Sequence, residues 1–222
     1  MKSFFSHLSK KAFTMIELVF VIVVIGIIAA VVIPNTRTNP LQEAALQVLS
    51  HIRYTQHLAL VSDQYQTGVN WWRARWQIYF QHDQSGNQNV VYTIYSDRNH
   101  DGVAVSPNPN AGEIAKDPMS GLDLTGNSLY GTTFIKSMNL SAKYGVVLAN
   151  MNNLMRDGCA NARRIFFDNL GRPMLQSDTS PQQQLLAANC TIRLTDGTEF
   201  VDIRITPETG YACILDAGGN CI

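Results

Sequence analysis

The amino-acid sequence predicts an α+β protein in which a long N-terminal helical spine packs on a mainly antiparallel β head. Three observations lead to this prediction: an apolar run over residues 13–33, an amphipathic helical pattern up to residue 62, and alternation of period two beyond it. We expect a transmembrane helix over residues 13–35 and an amphipathic half of the spine over residues 36–62. Residues 63–222 then form the head.

Charge is segregated along the chain. Its 222 residues carry 17 basic and 17 acidic side chains, and a hydrophobic content of 45% is enough for a folded core. Residues 1–12 form a basic leader with Lys2, Lys10 and Lys11 and no acid, which leaves 14 basic and 17 acidic residues, a net charge of −3. This charge gives no overall attraction to nucleic acid, although it leaves a local basic patch open.

The apolar run of residues 13–33 is long enough for a membrane span. Its 21 residues contain one charged side chain, Glu17, and a helix of this length measures roughly 31 Å, close to the hydrocarbon core of a bilayer. The basic leader is expected to stay in the cytoplasm, which places the head in the periplasm or outside the cell. An ordinary signal peptide fits less well, because it has a shorter apolar run that ends in a small-residue cleavage site.

The sequence KKAFTMIEL, residues 10–18, resembles the processing site of type IV prepilins. This resemblance implies that prepilin peptidase cuts between Ala12 and Phe13 on the cytoplasmic side, removes the leader and methylates the new amino terminus of Phe13. Gly26 and Pro34 also follow Phe13 at intervals that are frequent in this family. Ala12 departs from the pattern, since the family usually has Gly at that position.

Glu17 is the informative residue of the apolar run. An ionisable side chain in such a span costs about 2.5–3.5 kcal/mol, so it normally has a partner, and the span itself contains no cation. The free amino group that cleavage creates on Phe13 of a neighbouring subunit is a suitable partner once the helices pack in a fibre. The alternative is a carboxyl group that stays protonated in lipid.

The second half of the spine begins with a helix-start signal. Asn39 is a good N-cap and Pro40 is favoured at the first helical position. Apolar residues then follow at helical spacing and predict a buried face: Leu41, Ala44, Ala45, Val48, Leu49, Ile52 and Ala59. His51 and His57 lie on opposite faces of this helix, so a joint metal site is not expected.

The head shows strand patterns and turn signals. Residues 76–81 and 90–95 predict a hairpin, and Asp196-Gly197 predicts the turn of a second hairpin over residues 192–205. Trp71, Trp72 and Trp76 predict an aromatic cluster that packs on the spine, with a ligand platform as the alternative. Other strands are expected over residues 145–148, 164–167, 190–194, 200–205 and 211–215.

A looser resemblance extends over the head. The segments IFFDNLGRP, residues 165–173, and TPETGY, residues 206–211, together with the Ala-rich helix, are similar to H-type pseudopilins and FimT-like minor pilins. This resemblance implies a minor, capping or initiating subunit. Some FimT-like proteins bind DNA through arginines after a glycine, and only Gly171-Arg172 matches here. Four other arginines could form a phosphate-binding patch, and the alternative is that they solvate exposed strand faces. They are Arg163, Arg164, Arg193 and Arg204.

The cysteines indicate an oxidising compartment. All four lie in the last third of the chain without the close spacing of zinc ligands, so we expect two disulfides. Nearest-neighbour pairing gives Cys159–Cys190 and Cys213–Cys221 among three connectivities. The chain carries no phosphate-binding loop, zinc-protease motif or nucleophile elbow, and we do not expect an enzyme.

The segment YSDRNHDG, residues 95–102, matches the opening of a calcium loop. Side chains would come from Asp97, Asn99 and Asp101, a carbonyl from Val103, and the closing carboxylate from Glu113 or Asp117. Position twelve of the loop is Asn108 and helices do not flank it, which excludes an EF-hand. The alternative is an ordinary Asp- and Asn-rich turn.

Together these patterns predict a structural assembly subunit, a minor pilin or pseudopilin, of a type IV pilus or type II secretion system. The expected partners are prepilin peptidase, other pilins or pseudopilins, and the inner membrane, with calcium as the one cofactor considered. The competing prediction is a DNA-binding minor pilin for DNA uptake. An unprocessed single-span membrane protein with an unrelated head is the third.

Overall fold

The structure, a computed structural model, describes residues 13–35, 39–62, 71–83, 86–99, 109–130, 133–175 and 185–222. It divides into two compact units, Met1–Thr38 and Asn39–Ile222. In the first unit, helix α1 runs over Met15–Asn35. Within the described ranges, no helix is both long and apolar enough to cross a bilayer. Residues 36–38, where the amphipathic half of the spine is expected to begin, lie outside those ranges.

The second unit begins with helix α2, Pro40–Val61, as the sequence predicts. The Asn39 side chain accepts hydrogen bonds from the backbone N–H groups of Leu41 and Gln42, at 3.0 and 3.3 Å, which satisfies two orphan donors of the first turn. At the other end, the Ser62 N–H bonds to the Leu58 carbonyl. All seven apolar positions predicted for the inner face are buried, and Thr55 joins them.

In the described ranges, eight strands form two antiparallel sheets of four. The first sheet contains β1, Gln77–His82, β2, Val90–Tyr95, β4, Arg164–Phe167, and β5, Pro173–Met174, in the order β2-β1-β4-β5. The second contains β3, Met155–Asp157, β6, Cys190–Thr195, β7, Phe200–Ile205, and β8, Ala212–Ile214, in the order β3-β6-β7-β8. Short helices complete the described part: Trp71–Ala74, Lys136–Met138, α3 over Leu140–Tyr144, and Met151–Asn153.

Both predicted hairpins are present. β1 and β2 pair from Gln77 opposite Tyr95 to His82 opposite Val90, and β6 and β7 pair from Cys190 opposite Ile205 to Thr195 opposite Phe200. α2 packs on strands of both sheets, and its buried face shares one hydrophobic cluster with their inner residues. The α+β class and the mainly antiparallel head are therefore confirmed.

The strand predicted over residues 145–148 is wrong. Gly145 adopts the left-handed conformation, with φ of 72°, and caps α3 by donating its N–H to Leu140 and Ser141. Val147 makes a single backbone hydrogen bond to Thr195, so the apolar residues of this stretch belong to a connection beside β6. A short apolar run does not distinguish these two outcomes.

Alternate residues of β1 point to opposite faces of the sheet, but neither face is exposed to solvent. Ile78 and Phe80 enter the main core, whereas Tyr79 packs with Tyr95 and Ile114 in a second, smaller cluster. Tyr130 covers this cluster and donates its hydroxyl proton to Gln81 at 2.9 Å. Both faces of β1 are therefore buried.

Candidate functional site

The surface of α1 is the first candidate. Over residues 13–28 every side chain is exposed except Val24, which is half-buried. A helix that is apolar on all sides needs an apolar environment around it, supplied by a membrane or by other helices. Its large exposed apolar side chains are Phe13, Met15, Ile16, Leu18, Val19, Phe20, Val21, Ile22, Val23, Ile25, Ile27 and Ile28.

Glu17 lies in the first turn of α1, one turn after Phe13. Its N–H bonds to the carbonyl and to the hydroxyl of Thr14, at 3.1 and 3.3 Å, so Thr14 closes the start of the helix. The side chain is exposed and makes no ion pair within the described residues. Ala12, the other half of the predicted cleavage site, lies outside those residues. The only charge of this helix thus faces outward among apolar side chains.

The residues of the predicted calcium loop are in part described. Asp97 is buried directly after β2, and Asp101 and Val103 lie outside the described residues. Glu113 is buried and accepts hydrogen bonds from the N–H of Asn99 at 3.0 Å and from the N–H of Asn110 at 3.1 Å. The Glu113 carboxylate therefore accepts from backbone N–H groups on both sides of residues 100–109.

Asp117, the other predicted closing carboxylate, accepts hydrogen bonds from the hydroxyl and the N–H of Ser120, at 2.5 and 3.0 Å. These bonds hold the pKa of Asp117 below its ordinary value. In the part of the chain that the structure describes, no three His, Cys, Asp or Glu side chains are grouped so that they could hold a metal ion. Calcium binding by this loop stays a prediction.

Calcium at millimolar concentration is expected to raise the melting temperature of the full-length protein by a few degrees. Extracellular sites bind at about 10⁻⁴–10⁻³ M, and calcium at ten times Kd adds about 1.4 kcal/mol by mass action. Thermal melts with calcium, magnesium and chelator measure this, with Asp101→Ala as the variant that loses the effect. Coincident curves in calcium and chelator would show an ordinary polar turn.

Two disulfides are present, Cys159–Cys190 and Cys213–Cys221, with Cα atoms 5.0 and 5.5 Å apart. They are the pairs that nearest-neighbour pairing gives. Cys159 and Cys190 are both buried, and their bond joins the residues after β3 to the start of β6. Cys221, in contrast, is exposed.

A buried polar network, which sequence patterns did not indicate, joins α2 to β2. Gln47 donates from Nε2 to the Tyr92 hydroxyl at 2.7 Å, while its Oε1 accepts from the Tyr144 hydroxyl at 2.7 Å. The Tyr92 hydroxyl and Nδ1 of His51 share a further hydrogen bond, also at 2.7 Å. Burial lowers the pKa of His51 from 6.5 to about 4, so its ring is neutral at pH 7.

Burial of His51 makes the stability of the head pH-dependent. Between pH 6.5 and about 4, the unfolded chain binds a proton at His51 that the folded head does not take up. The stability is thus fully present above pH 6.5 and falls as the pH decreases, with a loss of about 2 kcal/mol by pH 5. Denaturant unfolding at pH 7 and pH 5 measures the loss.

His51→Gln is expected to remove this part of the pH dependence. His57→Gln is the matched control, since His57 is exposed on the same helix, and it should behave as the unaltered protein. If His51→Gln loses as much stability between pH 7 and pH 5 as the unaltered protein does, burial of His51 is not the cause of the pH dependence.

The arginines considered for phosphate binding are engaged within the head. Arg164 is buried, bonds to Gln77 at 3.3 Å and stacks over Tyr79, so its interpretation as a solvating residue is wrong. Arg193 contacts both carboxylate oxygens of Asp202, at 2.7 and 2.6 Å. Arg163 is exposed and directly precedes β4, whereas Arg204 is half-buried and lies on β7 of the other sheet.

The two head segments that carry the looser resemblance meet at one residue of α2. Gln56 donates from Nε2 to the carbonyls of Gly171 and Thr209, at 2.7 and 2.9 Å. Gly210 has a φ of 65°, and a Cβ there would lie 2.7 Å from Gln56 Nε2 and 2.8 Å from the Gly171 carbonyl. Glycine is thus required for this close approach. Arg172 is held by Asp168, Nη2 to Oδ2, at 2.7 Å.

Tryptophan positions agree in part with the predicted cluster. Trp76 is buried and donates from Nε1 to the Ser62 hydroxyl, at 3.0 Å, directly after α2. Trp71 and Trp72 are half-buried and form an edge-to-face pair with centroids 6.4 Å apart. Trp76 therefore packs at the end of α2, as the sequence predicts.

No protein-family model, curated protein or solved structure matches the chain. Its function is therefore inferred from the chemistry of α1 and of the head.

Proposed function

We propose that this chain is a structural assembly subunit, a minor pilin or pseudopilin, of a type IV pilus or type II secretion system. The subunit is held in the inner membrane as a single-pass protein with a periplasmic head, and it packs into the fibre or its tip through α1. The observation that carries the proposal is the surface of α1, which is apolar on every side and bears Glu17 as its one charge.

This surface suits two successive environments. In the membrane, the apolar side chains contact lipid and the Glu17 carboxyl takes up a proton or finds a partner. In a fibre, α1 helices of neighbouring subunits bury the same side chains against one another. Burial of these apolar side chains stabilises the contact between any two subunits but does not fix their relative position. The Glu17 carboxylate sets the position of each helix along its neighbour.

Processing between Ala12 and Phe13 completes the site. Cleavage converts the backbone nitrogen of Phe13 into an amino group, which prepilin peptidase then methylates. Methylation keeps the positive charge, so the amino terminus of one subunit can pair with Glu17 of the next. A pair that is removed from water gains specificity because each charge is costly without the other.

The head is consistent with a periplasmic location. Two disulfides stabilise it, and disulfides persist in the bacterial periplasm. Arg164, Arg172 and Arg193 are engaged within the head, so no separate observation favours the DNA-uptake alternative.

The mature protein is expected to begin at Phe13. Intact-mass measurement and N-terminal peptide mapping of protein from its native membrane test this, in cells with and without prepilin peptidase. Ala12→Gly, which restores the usual residue, should be cleaved at least as completely, and Ala12→Leu should remain unprocessed. Native protein that retains residues 1–12 in the presence of the peptidase would refute the proposal.

A further inference from the structure

The C-terminal segment, residues 215–222, folds back along the edge of the second sheet. β8 is the last strand of that sheet, and β7 occupies its inner side. Leu215 pairs with Cys221 in antiparallel register, and the Ile222 N–H donates to the Ile214 carbonyl at 3.0 Å. The C-terminal segment therefore lies along the end of β8 and bonds to its last residue, Ile214.

A tight turn between Asp216 and Asn220 reverses the chain direction after β8. The Asp216 carboxylate accepts from the Asn220 N–H at 2.8 Å, and the Asp216 carbonyl accepts from the Gly219 N–H at 3.0 Å. The bond from Asn220 lowers the pKa of Asp216. These hydrogen bonds are local and exposed, so they hold the turn without attaching it strongly to the rest of the head.

The apolar contribution of the C-terminal segment is small. Cys221 is exposed, and 73% of the Ile222 side chain is exposed. Most of its other residues are exposed as well: Asp216, Ala217, Gly218 and Asn220. The Cys213–Cys221 bond is therefore the main attachment of this segment to β8.

The two disulfides differ in their access to solvent. Cys159 and Cys190 are 1% and 0% exposed, whereas the second bond has one buried partner, Cys213, at 1%, and one exposed partner, Cys221. Reduction requires a thiolate to reach one sulfur in line with the bond. Cys221 is the only one of the four cysteines that is exposed, so a thiolate should attack Cys213–Cys221 before Cys159–Cys190.

We propose that Cys213–Cys221 is a redox latch that keeps the C-terminal segment on the edge of β8. A protein dithiol of the thioredoxin class attacks the Cys221 sulfur as a thiolate, which forms a mixed disulfide and releases the Cys213 thiolate to take up a proton. The second thiol of the reductant then displaces Cys221. Two electrons and two protons pass to this chain, and the reductant ends as a disulfide.

Opening of the latch changes the surface of the head. The C-terminal segment leaves the end of β8, and the Ile214 carbonyl loses the Ile222 N–H as its partner. An uncovered sheet edge is a template on which a strand of another chain pairs. The buried Cys159–Cys190 bond keeps β3 and β6 joined, so the rest of the head stays folded.

The test uses the full-length protein in a mild detergent, with dithiothreitol as the probe. Limited reduction followed by alkylation and peptide mapping should label Cys213 and Cys221 at least about tenfold faster than Cys159 and Cys190. Hydrogen exchange of the partly reduced protein should show lost protection at Ile222 and Asn220 and unchanged protection in β6.

The Cys213→Ser/Cys221→Ser double variant is the matched control. Without reductant, it should exchange at the C-terminal segment as fast as the reduced protein does, while Cys159–Cys190 remains intact. Equal labelling rates for the two disulfides would overturn the proposal. So would a C-terminal segment that keeps its protection after Cys213 and Cys221 have been labelled.

Discussion

Glu17→Gln is expected to leave membrane insertion intact and to prevent incorporation into fibres. The substitution removes a group that costs about 2.5–3.5 kcal/mol in lipid, so insertion is unchanged or improved. In the proposed fibre, it would leave the amino group of Phe13 without its proposed partner, and loss of one member of a buried pair costs about 3–5 kcal/mol. The same change therefore has opposite effects in the two environments.

Membrane fractionation measures the first effect, and the amount of the subunit in sheared or purified fibres measures the second. Glu43→Gln is the matched control, because Glu43 is an exposed glutamate in the first turn of α2 and carries the same chemical change. It should assemble normally. Normal incorporation of Glu17→Gln would mean that the carboxylate has no pairing role in assembly.

Loss of the Cys159–Cys190 disulfide is expected to destabilise the head more than loss of Cys213–Cys221. The bonds span sequence separations of 31 and 8 residues. With both cysteines counted in each closed loop, the chain-entropy model gives about 3.7 and 2.6 kcal/mol, because the longer loop has more freedom in the unfolded chain. Burial of Cys159 and Cys190 adds to the difference, since alanine at both positions removes packed sulfur atoms from the core.

Denaturant unfolding of the full-length protein compares Cys159→Ala/Cys190→Ala with Cys213→Ala/Cys221→Ala. The slope of unfolding free energy against denaturant concentration should rise in the first variant, since its unfolded chain exposes more surface. If the second variant loses as much free energy as the first, the C-terminal disulfide has a larger role in the core than its exposure indicates.

Local signals were enough for several elements. Asn39 and Pro40 placed the start of α2, and the spacing of Leu41, Val48 and Ile52 identified its buried face. The run Val90–Tyr95 and the Asp196-Gly197 turn placed β2 and the second hairpin. Each of these depends on residues within one or two turns of one another, which is the range over which propensity and periodicity act. Pairing of the cysteines also followed from separation along the chain.

Helices and strands that are too short to show a periodic pattern of apolar residues were not predicted. β3, β5 and α3 have three, two and five residues. Their conformations follow from pairing with β6, from pairing with β4 and from the Gly145 cap. Strand partners and caps outside the element decide such short elements, because the element itself is too short for propensity to do so.

The sequence by itself determined an α+β chain with an apolar N-terminal run that contains Glu17, the limits of α2 and two disulfides. Only the tertiary structure decided the roles of the polar side chains in the head. The Glu113 carboxylate accepts from the N–H groups of Asn99 and Asn110, and the Gln56 side chain bonds to the carbonyls of two turns far apart in the chain. Arg164 is buried and stacks over Tyr79. Their partners lie on separate elements, and a buried polar group takes whichever donor or acceptor the fold brings within reach.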